Sequence, residues 1–285
     1  MRHFLISAIL LITTGALTAC GTTFELPELG EHQSQRATKM FADARAQGPR
    51  RELSQTAAER RFQRVAARIK PVGTKVCQAA TVDRKGFNCN VDIDIDRKME
   101  QRNAYFTYDK NKPIIRITMP MLKDTESDDE VAFILSHEFG HLIGRHIEKQ
   151  QQQAVAGALL LGAITAAATT TTTPYGSYYD SSAVADSMEI GAAAGSMAYS
   201  QTYELESDTL GARIAHAAGY DPVRGAQFFA RPEKAKTTAG KLSFWGTHPP
   251  NAKRLATVLA TVDQIDANVA LKKTRSSSSP AVAEE

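Results

Sequence analysis

The stretch Ser136-His137-Glu138-Phe139-Gly140-His141 holds two imidazoles and a carboxylate at a spacing suited to metal-assisted hydrolysis. On a helix, His137 and His141 lie four residues apart on one face, where both can bind a single cation. Glu138 lies about a third of a turn from His137 and can reach a water beside the cation without being a ligand. That is the position of a general base. His146 is about 140° around the helix from His141, a poor direction for a further donor, and reads as structural or surface. A hydrolytic site usually has three protein donors and leaves the fourth position to water. Glu204 and Asp208, in Tyr203-Glu204-Leu205-Glu206-Ser207-Asp208, are four apart on another helical segment. Glu204 completes a His-His-Glu set, and Asp208 can accept a hydrogen bond from the outer nitrogen of a donor histidine and fix its tautomer. A purely structural site fits less well, because such sites are usually closed by four protein ligands.

Several elements must position these residues. Ser127-Asp128-Asp129-Glu130 fits a capping box, with acidic residues at the positive end of the helix that carries the histidines. Val131, Ile134, Leu135, Leu142 and Ile143 supply its buried faces, while Gly140 and Gly144 allow close approach of other backbone. Before it, Val91, Ile93 and Ile95 alternate with Asp92, Asp94 and Asp96, as in a half-exposed strand with its aspartates toward solvent rather than on calcium. Asn103–Tyr108 and Pro113–Met119 read as a hairpin turning at Asp109-Lys110-Asn111-Lys112. Two helices precede them: Glu31–Gln47, ended by Gly48-Pro49, and Leu53–Lys70, with a capping box at Thr56–Glu59 and a stop at Pro71. Glu204 and Asp208 fall in a helix from about Asp186 to Ala218, with Gly219 as C-cap. A closing helix spans Pro249–Val269 through Leu255, Val258, Leu259 and Val262. Pro232–Lys241 reads as a loop, and Phe244-Trp245 as core in preference to a substrate-facing pair. The apolar run Ala154–Ala168 admits three readings: a buried helix, a flap over the site, or a patch that dips into a membrane. The Thr-rich segment after it, to Asp180, reads as a mobile loop.

Lys plus Arg number 34 against 31 for Asp plus Glu, a formal charge of +3 without a dominant basic block, so no nucleic-acid partner is expected. Met1-Arg2-His3, the apolar Phe4–Leu17 and Leu17-Thr18-Ala19-Cys20 resemble a bacterial lipoprotein signal. The resemblance implies a signal over residues 1–19, acylation of Cys20 and a lipidated tether over 20–30, so that the membrane is a partner. The apolar run is shorter than the roughly 20 residues of a span. Gly21, where inner-membrane lipoproteins often carry Asp, favours the outer membrane. Export leaves Cys77 and Cys89 in an oxidising compartment as an even pair, hence a disulfide. Residues 271–285 read as a disordered tail.

Taken together, the chain resembles the HtpX/BepA/LoiP-type zinc metallopeptidases, gluzincins in which HExxH is followed by ExxAD or a close variant. The resemblance covers roughly Leu53 to Asp263. It rests on Asn103-Ala104-Tyr105, His137–His141, Glu204–Asp208, Ala218-Gly219-Tyr220-Asp221-Pro222 and Thr247-His248-Pro249-Pro250. The signal and the cysteine pair place it nearest the LoiP-like branch. Ser207 stands where relatives often have Ala, and Gln201 where they often have Arg. The resemblance implies an α+β, mainly helical zincin-type domain over 31–270, with an apolar insertion over 154–183 and a small sheet whose edge strand borders the cleft. It implies one zinc per chain on His137, His141 and Glu204, Glu138 as acid and base, and substrate backbone pairing along Asn103 and Ala104. His248 is the expected oxyanion donor or zinc gate, against the plainer reading of a loop histidine before a proline-started helix. The expected function is a periplasmic zinc endopeptidase anchored at the outer membrane. Its substrates would be misfolded or misassembled envelope proteins, and its further partners outer-membrane assembly or protease components. The alternative is a chaperone-like binding module whose metal site is latent or gated.

Overall fold

The computed structural model describes residues 21–46, 52–173, 176–197, 200–231 and 244–274. The expected signal with Cys20, the stop at Gly48-Pro49, the loop Pro232–Lys241 and most of the C-terminal tail lie outside the described residues. The elements in chain order are α1 (Glu31–Ala46), α2 (Gln55–Ala80), β1 (Asp92–Asp96), β2 (Ala104–Asp109), β3 (Lys112–Thr118), α3 (Met119–Asp124) and α4 (Asp128–Gly144). Then come α5 (His146–Thr169), β4 (Thr171–Thr173), β5 (Gly176–Tyr178), α6 (Ser181–Met197), α7 (Ser200–Ala217) and α8 (Pro222–Ala226). A 3-10 turn (Gln227–Ala230), α9 (Phe244–Thr247) and α10 (Ala252–Asp266) complete the chain. This is the expected α+β class, mainly helical with a small mixed sheet. Two compact units result: Phe24–Gly144 with Tyr203–Lys272, and Arg145–Thr202 with the two chain ends.

In the larger unit α2 departs from expectation twice. Ser54, not Thr56, is its N-cap, with Oγ accepting from the Ala57 amide at 3.3 Å. The helix also runs through Pro71 to Ala80. Proline removes one helical hydrogen bond, but Val65, Ile69, Gly73 and Cys77 continue the buried stripe on both sides of it. A methyl group on Gly73 would sit 2.7 Å from the Phe139 ring, so α2 lies directly on the helix that carries the histidines. Cys77, near the end of α2, is bonded to Cys89. Replacing both cysteines by alanine is expected to lower the unfolding free energy by about 2–3 kcal/mol, because the crosslink restricts the unfolded chain. An unchanged urea midpoint would contradict this.

The three-stranded sheet has the order β1-β3-β2, with β1 parallel and β2 antiparallel to β3. Lys110 and Asn111 take φ of 47° and 67°, the left-handed pair that a two-residue hairpin turn requires. β2 is an edge strand of this sheet, and Ala104 opposite Ile117 begins it. The aspartates of β1 serve local contacts: Asp92 pairs with Lys70 and Lys112, and Asp96 accepts from the Tyr105 hydroxyl at 2.7 Å.

α4 is buried over most of its length. Only half of its expected capping box forms: Ser127 Oγ accepts from the Glu130 amide at 3.2 Å, while Glu130 accepts from the Glu126 amide and pairs with the buried Arg231. Gly140 of α4 and Gly211 of α7 explain how the two helices meet. A Cβ at Gly140 would lie 2.6 Å from Ser207 Cα, and one at Gly211 would lie 2.9 Å from the His137 amide nitrogen. Gly219, at φ +77°, ends α7 as expected, its amide bonded to the His216 carbonyl at 2.8 Å.

The smaller unit removes one of three open readings and overturns one expectation. Ala154–Ala168 is helical but not buried: Val155, Leu159, Leu160 and Ile164 are 59%, 61%, 45% and 54% exposed. The Thr-rich segment is not irregular, since β4 and β5 pair from Thr171↔Tyr178 to Thr173↔Gly176. The helix expected from about Asp186 starts earlier, at Ser181, and helix covers Ser181–Met197 and Ser200–Ala217 on either side of residues 198–199, which lie outside the described residues. Arg145, at φ 58°, separates α4 from α5.

Candidate metal centre

Four side chains from three places in the sequence converge within the larger unit. The potential donor atoms of His137, His141, Glu204 and His248 all lie within 4.8 Å of one another. His137 and His141 project from successive turns of α4, with their Nε2 atoms 3.1 Å apart. Glu204, near the start of α7, reaches both: its Oε2 is 3.3 Å from His137 Nε2 and its Oε1 is 3.3 Å from His141 Nε2. His248 Nδ1 is 3.0 Å from both Glu204 oxygens. Three imidazoles and one carboxylate form the nitrogen and oxygen donor set that zinc accepts, and mutual distances near 3 Å suit atoms sharing one cation.

Asp208 lies where its spacing from Glu204 predicts. His137 Nδ1 is 2.9 Å from Asp208 Oδ1, so Nδ1–H donates outward and Nε2 is the nitrogen turned to the cluster. Arg254, on α10, was not foreseen. It is fully buried, and its Nε and Nη2 each donate to an Asp208 oxygen at 2.7 Å. Its Nη1 lies 3.0 Å from Glu204 Oε2 and donates to the His248 carbonyl at 3.2 Å. Its guanidinium carbon is 3.8 Å from the centroid of the Phe229 ring, a cation–π contact. One planar cation therefore braces the third donor, the carboxylate behind His137 and the loop bearing His248. The available signal was a charge argument: two buried carboxylates need a fixed positive partner, and Arg254 lies in the first turn of the closing helix, just after His248-Pro249-Pro250.

His248 is 6% exposed, so it is no plain surface-loop residue. Its amide bonds to the Phe244 carbonyl at 2.7 Å, and its ring lies 4.5 Å from that of Phe244. Phe244 is itself fully buried and stacked on Phe229, as expected of core. The helix after His248-Pro249-Pro250 starts from Asn251, whose side chain accepts from the Arg254 amide at 3.0 Å, and not from proline. Glu138 is 1% exposed, with Oε1 lacking a hydrogen-bond partner and 3.6 Å from His248 Nε2. A carboxylate this close to the donor cluster is placed to act as a general base.

The charges of the cluster act on one another. Burial opposes charge on His137, but Glu204 and Asp208 outweigh it and raise its pKa to about 9. Burial lowers that of His141 to about 4. The Nε2 atoms are too close for two imidazolium ions, and Asp208 decides which ring keeps the proton. Burial also opposes ionisation of Glu204, yet His248, Arg254 and His137 hold its carboxyl well below the usual range. Asp208 is lowered in the same way, chiefly by Arg254 against its own burial.

Asn103 and Ala104 lie at the start of edge strand β2, both buried. Asn103 exchanges two hydrogen bonds with Thr118, from its amide to Oγ1 at 3.0 Å and from the Thr118 amide to its carbonyl at 2.9 Å. Its side-chain Oδ1 has no partner. His146 is buried and is not among the clustered donors, so it is structural and not a surface residue.

No individual curated protein matches the chain. Residues 63–262, more than half of it and spanning both histidines of α4, Glu204, Asp208, His248 and Arg254, match the model of Peptidase family M48, whose members are zinc-dependent. This match and the His/Glu cluster agree with the motif order on α4 and α7: the chain belongs to Peptidase family M48 and is a zincin metallopeptidase of the HtpX/BepA/LoiP type.

Proposed function

We propose that the protein is a zinc-dependent endopeptidase of the cell envelope, nearest the LoiP-like lipoproteins, that cuts misfolded or misassembled envelope proteins. The observation that carries the reaction is the buried Glu138, with an unpartnered carboxylate oxygen beside four converging donors. His137, His141 and Glu204 would hold the ion, with Asp208 orienting His137. A zinc ion bound there supplies a Lewis acid that acidifies a water and polarises the scissile carbonyl. Glu138 would take a proton from the attacking water and return it to the leaving amine. His248 brings a second ring nitrogen to the same centre, where an N–H stabilises developing negative charge on oxygen. Strand β2 offers an edge for substrate backbone, and Asn103 Oδ1 an acceptor for a substrate amide. The disulfide supports an oxidising compartment, and the signal-like N-terminus supports export and attachment through acylated Cys20 to the outer membrane, facing the periplasm.

The test is cleavage of an unfolded protein by the purified chain. Fragments with new internal termini are expected, with loss of cleavage on chelation and recovery on adding zinc. Cleavage that ignores chelation, or release of terminal residues only, would sink the proposal. One observation favours the gated, chaperone-like alternative: His248 Nδ1 is close enough to the other donors to close the site as a fourth ligand. In that case the wild-type chain binds unfolded protein without cutting it, and His248→Ala begins to cut.

A further inference from the structure

The hairpin of α5 and α6 is built inside out for a soluble protein. Its two helices touch through small residues: a Cβ on Gly191 would lie 2.2 Å from the Gly157 carbonyl oxygen, and one on Gly162 would lie 2.5 Å from Met188 Cγ. The backbones touch at Gly157 and Gly191, as in helix pairs within lipid, and Gly162 leaves the space that Met188 of α6 fills. Large side chains of α5 point outward. Val155, Leu159, Leu160 and Ile164, with Ala156 and Ala163 between them and Ala167 and Ala168 after them, form an exposed stripe along α5. No Asp, Glu, Lys or Arg occurs between Lys149 and Asp180.

We propose that this stripe of α5 rests in the acyl-chain boundary of a lipid bilayer, as a second membrane contact besides the N-terminal anchor. The occupant is indicated by where the chain before the described residues begins. Lys149, at the base of α5, donates to the Gly21 carbonyl at 3.0 Å and to Thr23 Oγ1 at 2.9 Å. Whatever precedes Gly21 therefore starts at the foot of the apolar stripe. Given the reading of Cys20 as lipid-bearing, on which this inference rests, lipid begins one residue from that point. Polar Gln151 and Gln152 open the exposed stripe, and past its far end lie the exposed Tyr178 and Tyr179, a side-chain type enriched at membrane–water boundaries. The helix lies in the surface and does not cross it. By length and composition α5, at 24 residues, could cross, but Asp186 and Glu189 are exposed on the partner helix α6, where crossing would carry them into hydrocarbon. A second copy of the chain fits less well: a face about 20 Å by 10 Å is far smaller than the ~800 Å² per partner of a stable interface.

The experiment uses the full chain purified from membranes and reconstituted into phosphatidylethanolamine–phosphatidylglycerol vesicles. Leu159→Trp places a reporter on the stripe and Glu189→Trp one on the acidic helix, each read after subtracting the emission of the unsubstituted chain. The reporter at 159 is expected to shift to the blue and lose most of its emission to lipids brominated in their acyl chains, with no quenching by aqueous iodide. The reporter at 189 is expected to show the opposite. Iodide quenching at 159 would place the stripe in water. A blue shift with neither quencher effective would place it against protein. Either result overturns the proposal, as does failure of the chain to float with vesicles. The anchor is read separately, by mass: an unacylated chain whose reporter at 159 is still quenched by bromolipid refutes the Cys20 reading and leaves the α5 contact standing.

Discussion

Glu138→Gln is expected to reduce kcat for cleavage of an unfolded protein about 10³-fold, within the range for loss of a general acid–base group, while KM stays within about twofold. The split between kcat and KM follows from the position of the residue. Glu138 is 1% exposed and offers no surface to the parts of a substrate remote from the scissile bond. Glutamine has nearly the same shape but cannot accept and return a proton. The variant is also expected to fold as well as the parent. Glutamine fills the same buried space, so the substitution opens no cavity and makes no new clash. His137, His141 and Glu204 are untouched, so zinc content measured after dialysis should be unchanged. Retention of a tenth or more of parental kcat would remove Glu138 from the chemistry. Loss of bound zinc together with activity would assign it to holding the ion.

The parts of the site that were legible in the sequence are those set by short-range geometry. Four-residue spacing on α4 and α7 dictates that His137 faces with His141 and Glu204 with Asp208. Gly140 could be flagged as a place of close approach, and it meets Ser207. Gly219 and the Lys110-Asn111 turn were readable because their backbone conformations favour few residue types. Most of what was missed depends on contacts between distant segments, and one case on a choice between neighbouring caps. Pro71 reads locally as a stop, but buried residues on both sides of it hold α2 together. Ser54 wins the capping position over Thr56 through one side-chain hydrogen bond. The exposure of α5 could not be read from composition, because an apolar run has the same residues whether it faces core or solvent. Arg254 is 46 residues from Asp208 and follows no periodicity that would pair them.

Arg254→Met should have the largest effect on stability, about 3–5 kcal/mol, the usual range when one partner of a buried ion pair is removed. The reason lies in the charge of the closed site. With a dication bound and both histidines neutral, Arg254 and the ion balance Glu138, Glu204 and Asp208. Without Arg254 the same site carries a net negative charge away from water. Without the ion as well, the proton held by His137 is the main remaining compensation. The deficit should therefore be greatest in the chelated protein and shrink as zinc is added, read as the difference in thermal or urea unfolding between the two states. Arg254→Lys keeps the charge but not the paired 2.7 Å bonds to both Asp208 oxygens, and should fall between parent and Arg254→Met. A double variant separates charge balance from positioning. Arg254→Met with Asp208→Asn removes one negative charge along with the positive one and should recover much of the stability. It leaves His137 Nδ1 without a carboxylate to orient it, so zinc affinity should remain about 10–100-fold below the parent. If chelated Arg254→Met unfolds at the parental midpoint, the guanidinium is not what holds the two carboxylates in place. If the double variant binds zinc as tightly as the parent, the link from Arg254 through Asp208 to His137 does not position the metal ligand.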